Sequence, residues 1–378
     1  MIKFNIPAYT ADEDKYLREV IQKRSFCGEG VMTKRCEAIM QERFAAPKVL
    51  LTTSCSAALD MAALLCSIKE GDEVILPSYT FSTTASSFAL RKAKLVFVDI
   101  RPDTMNIDET KIEAAITPQT KVISVVHYAG VSCEMKTIME LAKKYHLFVV
   151  EDAAQGVMSA YNGKALGTIG DFGCFSFHDT KNYNMGEGGA LLVKHRSFFD
   201  QADNILDCGN NKKAFKAGKV SEYSWVDLGS SFLPSEFNAA FLLGQLDNLD
   251  KINNDRLATW NHYYQALEPL CKRGLIELPF IPKECIHNAH MFYIKTRNNK
   301  VRTELMQFLK LHGIQTASHY VPLHSSAAGS KNGVFHGEDR YTTVESRRLL
   351  RLPMYYQLAY EDTEQVIDQL YAFYQVSR

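Results

Sequence analysis

Lys181 stands in the run Phe175-Ser176-Phe177-His178-Asp179-Thr180-Lys181-Asn182, a few residues before Gly186-Glu187-Gly188-Gly189. Asp152 closes the apolar run Leu147-Phe148-Val149-Val150-Glu151 and is followed by Ala153-Ala154-Gln155. A primary amine forms an imine with an aldehyde and exchanges it for an incoming amine. A buried carboxylate beside a pyridine nitrogen keeps that nitrogen protonated, and the charged ring then draws electrons from a bond being broken. Together these are the needs of pyridoxal 5'-phosphate (PLP). Once released, the same lysine amine can move a proton between the substrate carbon and the cofactor. Taken alone, a lysine before a glycine-rich turn reads as a solvated loop residue. Asp152 alone reads as a helix N-cap. The combination points to the cofactor.

Other residues fill out the constellation. Ser54-Cys55-Ser56 precedes the helical run Ala57-Ala58-Leu59-Asp60-Met61-Ala62. Backbone N–H groups at a helix start, with nearby hydroxyls, make a cup for a phosphate. Ser176 is a further phosphate donor, Phe81 a stacking partner for the pyridine ring, and Gln155 a partner for the ring hydroxyl. His319, Tyr320 and His324 lie in a stretch expected to face the pocket mouth and touch the substrate. The glycines at 186–189 allow a close backbone passage beside the cofactor.

These residues need a frame. From about residue 48 to 195 short apolar runs alternate with helical stretches. The strand candidates are 49–51, 74–76, 95–98, 122–126, 147–150, 173–177 and 190–193. The helix candidates between them are 57–67, 82–90, 108–116 and 135–145. Such alternation predicts a mostly parallel sheet with helices on both faces. In such sheets ligands collect outside the carboxyl ends of the strands. Ser54, Phe81, Asp152 and Ser176 all follow or close predicted strands. A long helical pattern runs from Ser235 to about Leu267 and carries the chain out of the large domain. Strand-like 291–295 and helix-like 303–312 then suit a smaller α+β domain. The expected division is a large domain over 1–250 and a small one over 251–378.

Bulk properties narrow the function. With 378 residues, two cores are expected. Lys+Arg and Asp+Glu both count 43, so charge makes no case for nucleic acid or an anionic membrane. No run of about 18 apolar residues suggests a membrane span. The start Met1-Ile2-Lys3-Phe4-Asn5-Ile6-Pro7 lacks the apolar stretch of a signal peptide. Nine scattered cysteines with no CxxC pair argue against a zinc or dithiol site and fit a reducing cytoplasm. No GxGxxG follows Val49-Leu50-Leu51, which disfavours a nicotinamide-dependent oxidoreductase.

With these motifs in hand, the chain resembles the DegT/DnrJ/EryC1/StrS sugar aminotransferases. The carrying pieces are Glu151-Asp152-Ala153-Ala154-Gln155, Phe175 to Asn182, Gly186-Glu187-Gly188-Gly189-Ala190, Pro77-Ser78-Tyr79-Thr80-Phe81, His319-Tyr320-Val321-Pro322-Leu323-His324 and Leu352-Pro353-Met354-Tyr355. The resemblance implies the type I aspartate-aminotransferase fold, PLP as cofactor and a homodimer with sites at the subunit interface. Its closest form implies L-glutamate as amino donor and dTDP-4-keto-6-deoxy-D-glucose as acceptor, aminated at C4 for enterobacterial common antigen. Amination of another nucleotide keto sugar, at C3, is the alternative. A dehydratase branch of the family carries histidine in place of the lysine, and Lys181 argues against it. Two positions depart from the family pattern. Cys55 stands where glycine is common, and Ser230-Ser231-Phe232-Leu233 lacks the usual Asn or Arg that reaches the phosphate across the dimer.

Overall fold

The short apolar runs become strands because both faces of each are buried, and valine, leucine and isoleucine fill a pleated interior well. The computed structural model describes residues 1–378. Its strands in the first part of the chain are β1 (Lys48–Thr52), β2 (Glu73–Pro77), β3 (Lys94–Val98), β4 (Thr120–Val126), β5 (Phe148–Asp152), β6 (Ala160–Tyr161), β7 (Lys164–Ala165), β8 (Phe172–Ser176) and β9 (Gly189–Val193). Those that follow are β10 (Ile276–Glu277), β11 (Cys285–Ile286), β12 (Phe292–Thr296), β13 (Gly333–Phe335) and β14 (Leu349–Leu352). Eight of them form one sheet in the order β1-β9-β8-β5-β4-β2-β3-β13. Every pairing is parallel except the two made by β9. All seven strands predicted between residues 48 and 195 are present.

Period-two alternation sorts the strand side chains into two layers. Val49, Leu51, Ile75, Ile123 and Val149 pack with Met32, Met40, Leu242 and Leu243 from the helices Val31–Phe44 and Glu236–Leu246. Leu50, Val74, Leu76, Val122 and Val150 turn the other way, against Leu59, Ala62 and Ala63 of the helix Cys55–Leu65 and Ile205 of Phe199–Leu206. Each such side chain taken fully out of water contributes about 1.5–3 kcal/mol.

A three-stranded sheet, β10-β12-β14, builds the second layer system. Its core joins Tyr263 and Leu267 of the helix Leu249–Lys272 with Phe292, Ile294, Leu305 and Ile367. Ile2 from the chain start belongs to this core and pairs with the stretch at Ile314. In the reverse direction, β13 returns to the edge of the large sheet beside β3. A ribbon of β11, β6 and β7 also links the two halves of the sequence.

The long helical pattern from Ser235 is two helices, Glu236–Leu246 and Leu249–Lys272. Asn248 explains the break. Its side-chain amide donates to Gly244 O at 2.9 Å and to Asp12 Oδ2 at 2.7 Å, competing with the backbone ladder. The predicted helix 108–116 is likewise two short turns, Glu109–Lys111 and Ile112–Ala115. The helices Asp12–Lys23 and Val31–Phe44 lie ahead of the region read as alternating. No helix is long and apolar enough to cross a membrane.

Candidate active site

The carboxyl ends of β1, β2, β4, β5 and β8 open on one side of the large sheet, facing β14. There lies a cavity of about 380 Å³, within the size range of ligand pockets. Ser54, Cys55, Ser56, Phe81, Asp152, Gln155, Ser176, Lys181, His319 and Tyr320 all line it. Of the residues singled out in the sequence, His324 alone stands outside. Its Nδ1 is 2.7 Å from Ser78 Oγ, its Nε2 is 3.2 Å from Asp339, and its ring packs edge-on against Phe335. These contacts engage both ring nitrogens, and the histidine is not part of the cavity lining.

Asp152 ends β5, in register with Val126 of β4 and Cys174 of β8. Thr84 Oγ1 donates to its Oδ2 at 2.6 Å, and the Ala154 N–H donates to Oδ1 at 3.2 Å. Burial pushes this carboxyl above its usual range, while Thr84, Ala154 and the Lys181 charge pull the other way. The preceding Glu151 is fully buried and fixes the strand end. It accepts from the N–H groups of Gly167, Ile169 and Gly170 at 2.6–2.8 Å and from His127 Nε2 at 2.8 Å. His127 Nδ1 accepts from the Cys133 N–H at 3.1 Å, so its proton sits on Nε2. Burial alone would raise Glu151; His127 and the backbone donors overcome it and hold the carboxyl below its usual range.

Lys181 lies in the turn structure between β8 and β9, with its amine free of any hydrogen-bond partner and lining the cavity. Burial lowers its proton affinity below that of an ordinary lysine, opposed by the negative side of its surroundings. Cys55 counts little in that opposition, because burial holds its thiol far above the usual range and therefore neutral. Asp152 is the charge that matters. A lysine with lowered proton affinity presents more neutral, nucleophilic amine at neutral pH.

The helix Cys55–Leu65 begins at the cavity wall. Ser54 is its N-cap, with the Ala57 N–H donating to Ser54 Oγ at 3.0 Å. The backbone N–H groups of Cys55 and Ser56 have no acceptor within the chain. These two orphan donors, the Ser56 hydroxyl and the half-engaged Ser176 hydroxyl fit the phosphate of PLP. Gly189 makes the closeness possible. It pairs with both Thr52 and Ser176, and a Cβ there would sit 2.4 Å from Cys55 N. Phe81 is 57% exposed although it lines the cavity, leaving an apolar ring face for a flat ligand. Gln155 Oε1 accepts from the Ala129 N–H at 2.6 Å, which fixes the amide with its Nε2 toward the Tyr320 hydroxyl, 3.4 Å away. The residues therefore fit PLP: an amine, a carboxylate, an anion cup and a ring platform share one space.

The departing segment Ser230–Leu233 lies near this cup within the same chain, with the Thr53 N–H donating to Phe232 O at 2.8 Å. The sequence reading missed Arg351 and His290, which also line the cavity. His290 Nδ1 meets Asn182 Oδ1 at 2.9 Å beside the lysine turn. Arg351 carried one signal: it is the single charge in Leu349-Leu350-Arg351-Leu352, an otherwise apolar strand.

Comparison with known proteins agrees with this geometry. The model of the DegT/DnrJ/EryC1/StrS aminotransferase family matches residues 7–371. The spore coat polysaccharide biosynthesis protein SpsC of Bacillus subtilis is 31% identical over 380 residues, covering 97% of this chain and 95% of its own. The aminotransferase TlmJ of Streptoalloteichus hindustanus superposes with a TM-score of 0.91 at 26% identity, over 99% of each chain. DesV of S. venezuelae, solved in complex with a reaction intermediate, superposes with a TM-score of 0.88 at 26% identity, over 100% of this chain and 99% of its own. The chain belongs to the DegT/DnrJ/EryC1/StrS aminotransferase family. It is an enzyme, a PLP-dependent sugar aminotransferase with the type I fold.

Proposed function

We infer that the enzyme moves the amino group of L-glutamate to C4 of dTDP-4-keto-6-deoxy-D-glucose. The product is dTDP-4-amino-4,6-dideoxy-D-galactose, the amino sugar unit that enterobacterial common antigen requires. The observation that carries the reading is the shared cavity in which the free Lys181 amine and the Asp152 carboxylate stand beside the orphan donors of Cys55 and Ser56. Three further stretches favour the particular sugar by resemblance: Val98 to Thr110, Asn288 to Lys295 and Phe335 to Thr343. Bound PLP supplies an electrophilic carbon and a ring that accepts electrons.

The chain's own residues do the rest. Asp152 would keep a negative charge at the ring nitrogen. The Cys55 and Ser56 N–H groups, with Ser176, would hold the phosphate. Lys181 would take the proton from the donor carbon and later return one to the sugar carbon. The amino group passes from glutamate to the sugar, and the water taken up in releasing 2-oxoglutarate matches the water lost from the sugar carbonyl. His319 and Tyr320 contact the sugar at the cavity mouth. The division into domains 1–250 and 251–378, assembly as a homodimer and a cytoplasmic location complete the proposal.

The test uses PLP-loaded protein. Borohydride is expected to fix PLP onto Lys181, located by peptide mass analysis. Glutamate alone is expected to bleach the visible cofactor band, and the keto sugar to restore it in a ping-pong pattern. NMR of the product decides between C4 and C3. Restoration by a 3-keto sugar alone overturns the C4 assignment, and a fixed cofactor on any other lysine overturns the role of Lys181.

A further inference from the structure

Residues 2–8 cross from one core to the other, and on the way they line the cavity. Ile2 lies in the core around β12 and β14, and Ala8 lies in a core of the large sheet. Phe4 and Asn5, between them, are part of the cavity wall.

Both ends of this strap are tied down. The Ile2 N–H donates to Gly313 O at 2.8 Å, and Ile2 O accepts from the Gln315 N–H at 3.0 Å. The Phe4 N–H donates to Gln315 Oε1 at 3.1 Å, and Phe4 O accepts from the Met354 N–H at 3.3 Å. The Phe4 ring centre lies 4.8 Å from the Arg351 guanidinium carbon. At the other end, Ala8 O accepts from Asn184 Nδ2 at 3.0 Å and from Gln245 Nε2 at 3.1 Å. Asn184 follows Lys181 in the same turn structure. Asn5, Ile6 and Pro7 alone span the gap, and the ring of Pro7 fixes its own φ. The backbone of Asn5 is therefore held in place from both sides.

Its side chain is not. Asn5 is half-buried, and neither its Oδ1 nor its Nδ2 has a hydrogen-bond partner within the chain. The other amide that lines the cavity, Gln155, is committed to Ala129 and Tyr320. Thr80 pairs with Thr84 at 2.8 Å, and His290 with Asn182 at 2.9 Å. Asn5 is thus the one cavity amide with both ends open.

An amide offers a donor and an acceptor side by side and carries no charge. The carboxylates of glutamate only accept, and its ammonium only donates, so either would leave one end of the amide facing a group of the wrong kind. A sugar hydroxyl donates and accepts at once and satisfies both ends. The sugar must bring its carbonyl carbon to Lys181, in the same cavity, which puts the hydroxyls of that ring in the space Asn5 faces.

We propose that Asn5, presented by the strap of residues 2–8, binds a ring hydroxyl of the keto sugar and so sets the specificity of the second half of the reaction. The inference rests on the aminotransferase reading above and adds to it a contact from a segment that joins the two cores.

The experiment uses PLP-loaded wild type, N5A and N5D, with the two halves of the reaction timed separately on the cofactor band by stopped flow. The acceptor is whichever keto sugar restores the band in the test above, together with analogues that each lack one of its ring hydroxyls. With the complete sugar, N5A is expected to lose about 10-fold in the second-order rate constant of band restoration. Loading by glutamate is expected to stay within about 2-fold in the same variant. Removing the bound hydroxyl is expected to slow the wild type by about 10-fold and N5A no further, because the two changes delete the same contact and their losses do not add. The analogue that behaves this way identifies the hydroxyl. N5D keeps the size of the side chain and one acceptor, and its loss is expected to be smaller than that of N5A. A retained cofactor band shows that both variants fold. Additive losses with every analogue, an unchanged sugar rate in N5A, or an equal loss in the glutamate half each overturns the proposal. Failure of the aminotransferase reading would show separately, as no bleaching of the wild-type band by glutamate.

Discussion

Asp152 holds two oxygens under different constraints, and that asymmetry is what its function needs. Oδ2 is occupied by Thr84 at 2.6 Å, while Oδ1 has only a 3.2 Å backbone donor and keeps acceptor capacity. Asp152→Asn preserves the shape and removes the charge. Loss of one group that stabilises charge in a buried site costs about 2.7–4 kcal/mol, so kcat is expected to fall roughly 100-fold or more. Steady-state rates, with circular dichroism as a control on folding, check this. A second expectation follows from Lys181. Its proton affinity is lowered in the fold, so the neutral amine gains population at lower pH than in a free lysine. The rate at which apo-enzyme recombines with PLP is expected to rise with pH and level off below the usual lysine value; stopped-flow absorbance measures the midpoint. At this scale the sequence was informative where chemistry is local. A lysine before a glycine turn and a carboxylate closing an apolar run are both visible in short windows, and although neither is telling alone, their combination singles out Lys181 and Asp152. Arg351 was not legible as a site residue, because only the pairing of β12 with β14 and the seating of the small domain bring it to Lys181. His324 shows the reverse error. It shares a stretch with His319, yet Ser78, Asp339 and Phe335 claim its ring.

The elements were legible in proportion to how uniformly they are buried. Runs such as β2, β8 and β9 are buried along their whole length, and a continuous apolar stretch of that length has few other readings. The helix pattern after Ser235 misled because both halves keep an apolar face, and the break at Asn248 depends on side-chain bonds to Gly244 and Asp12 that no periodicity shows. β13 is three residues, Gly333-Val334-Phe335, too short for any pattern. One element junction invites a direct test. Gly189 starts β9 against the first residues of the Cys55–Leu65 helix, where an added Cβ would meet Cys55 N at 2.4 Å and the Ser54 carbonyl carbon at 2.5 Å. Both are backbone atoms, so relief requires moving the helix start itself. Gly189→Ala is expected to cost about 1–3 kcal/mol of stability and to loosen the phosphate cup. Thermal unfolding and the fraction of PLP retained through gel filtration report the two effects, and retention should fall more than stability alone explains.

The molecule as a whole leaves an apolar stretch uncovered. Tyr223, Trp225, Val226 and Leu228 are 50–74% exposed, in a segment whose backbone runs on to Phe232 beside Thr53. Contiguous exposed apolar side chains of this size mark a surface that another protein covers, and a second copy of the chain is the proposed occupant. Light scattering is expected to give about twice the 42.7 kDa chain mass, and Trp225→Glu to shift it toward the single chain. The large, mostly parallel sheet was readable from the alternation of apolar and helical runs. The crossing of the two cores was not, since it depends on Ile2 joining the small core and β13 joining the large sheet. That crossing has a consequence for how the chain is made. The outer edge of β3 has no partner until residues 333–335 have been synthesised, long after β2 on its other side is complete. A nascent chain halted before that point carries an open parallel edge of Leu95, Val96 and Phe97, the kind of surface on which unfinished chains stick to one another. The last strand to enter the sheet is thus the one that makes release from the ribosome safe.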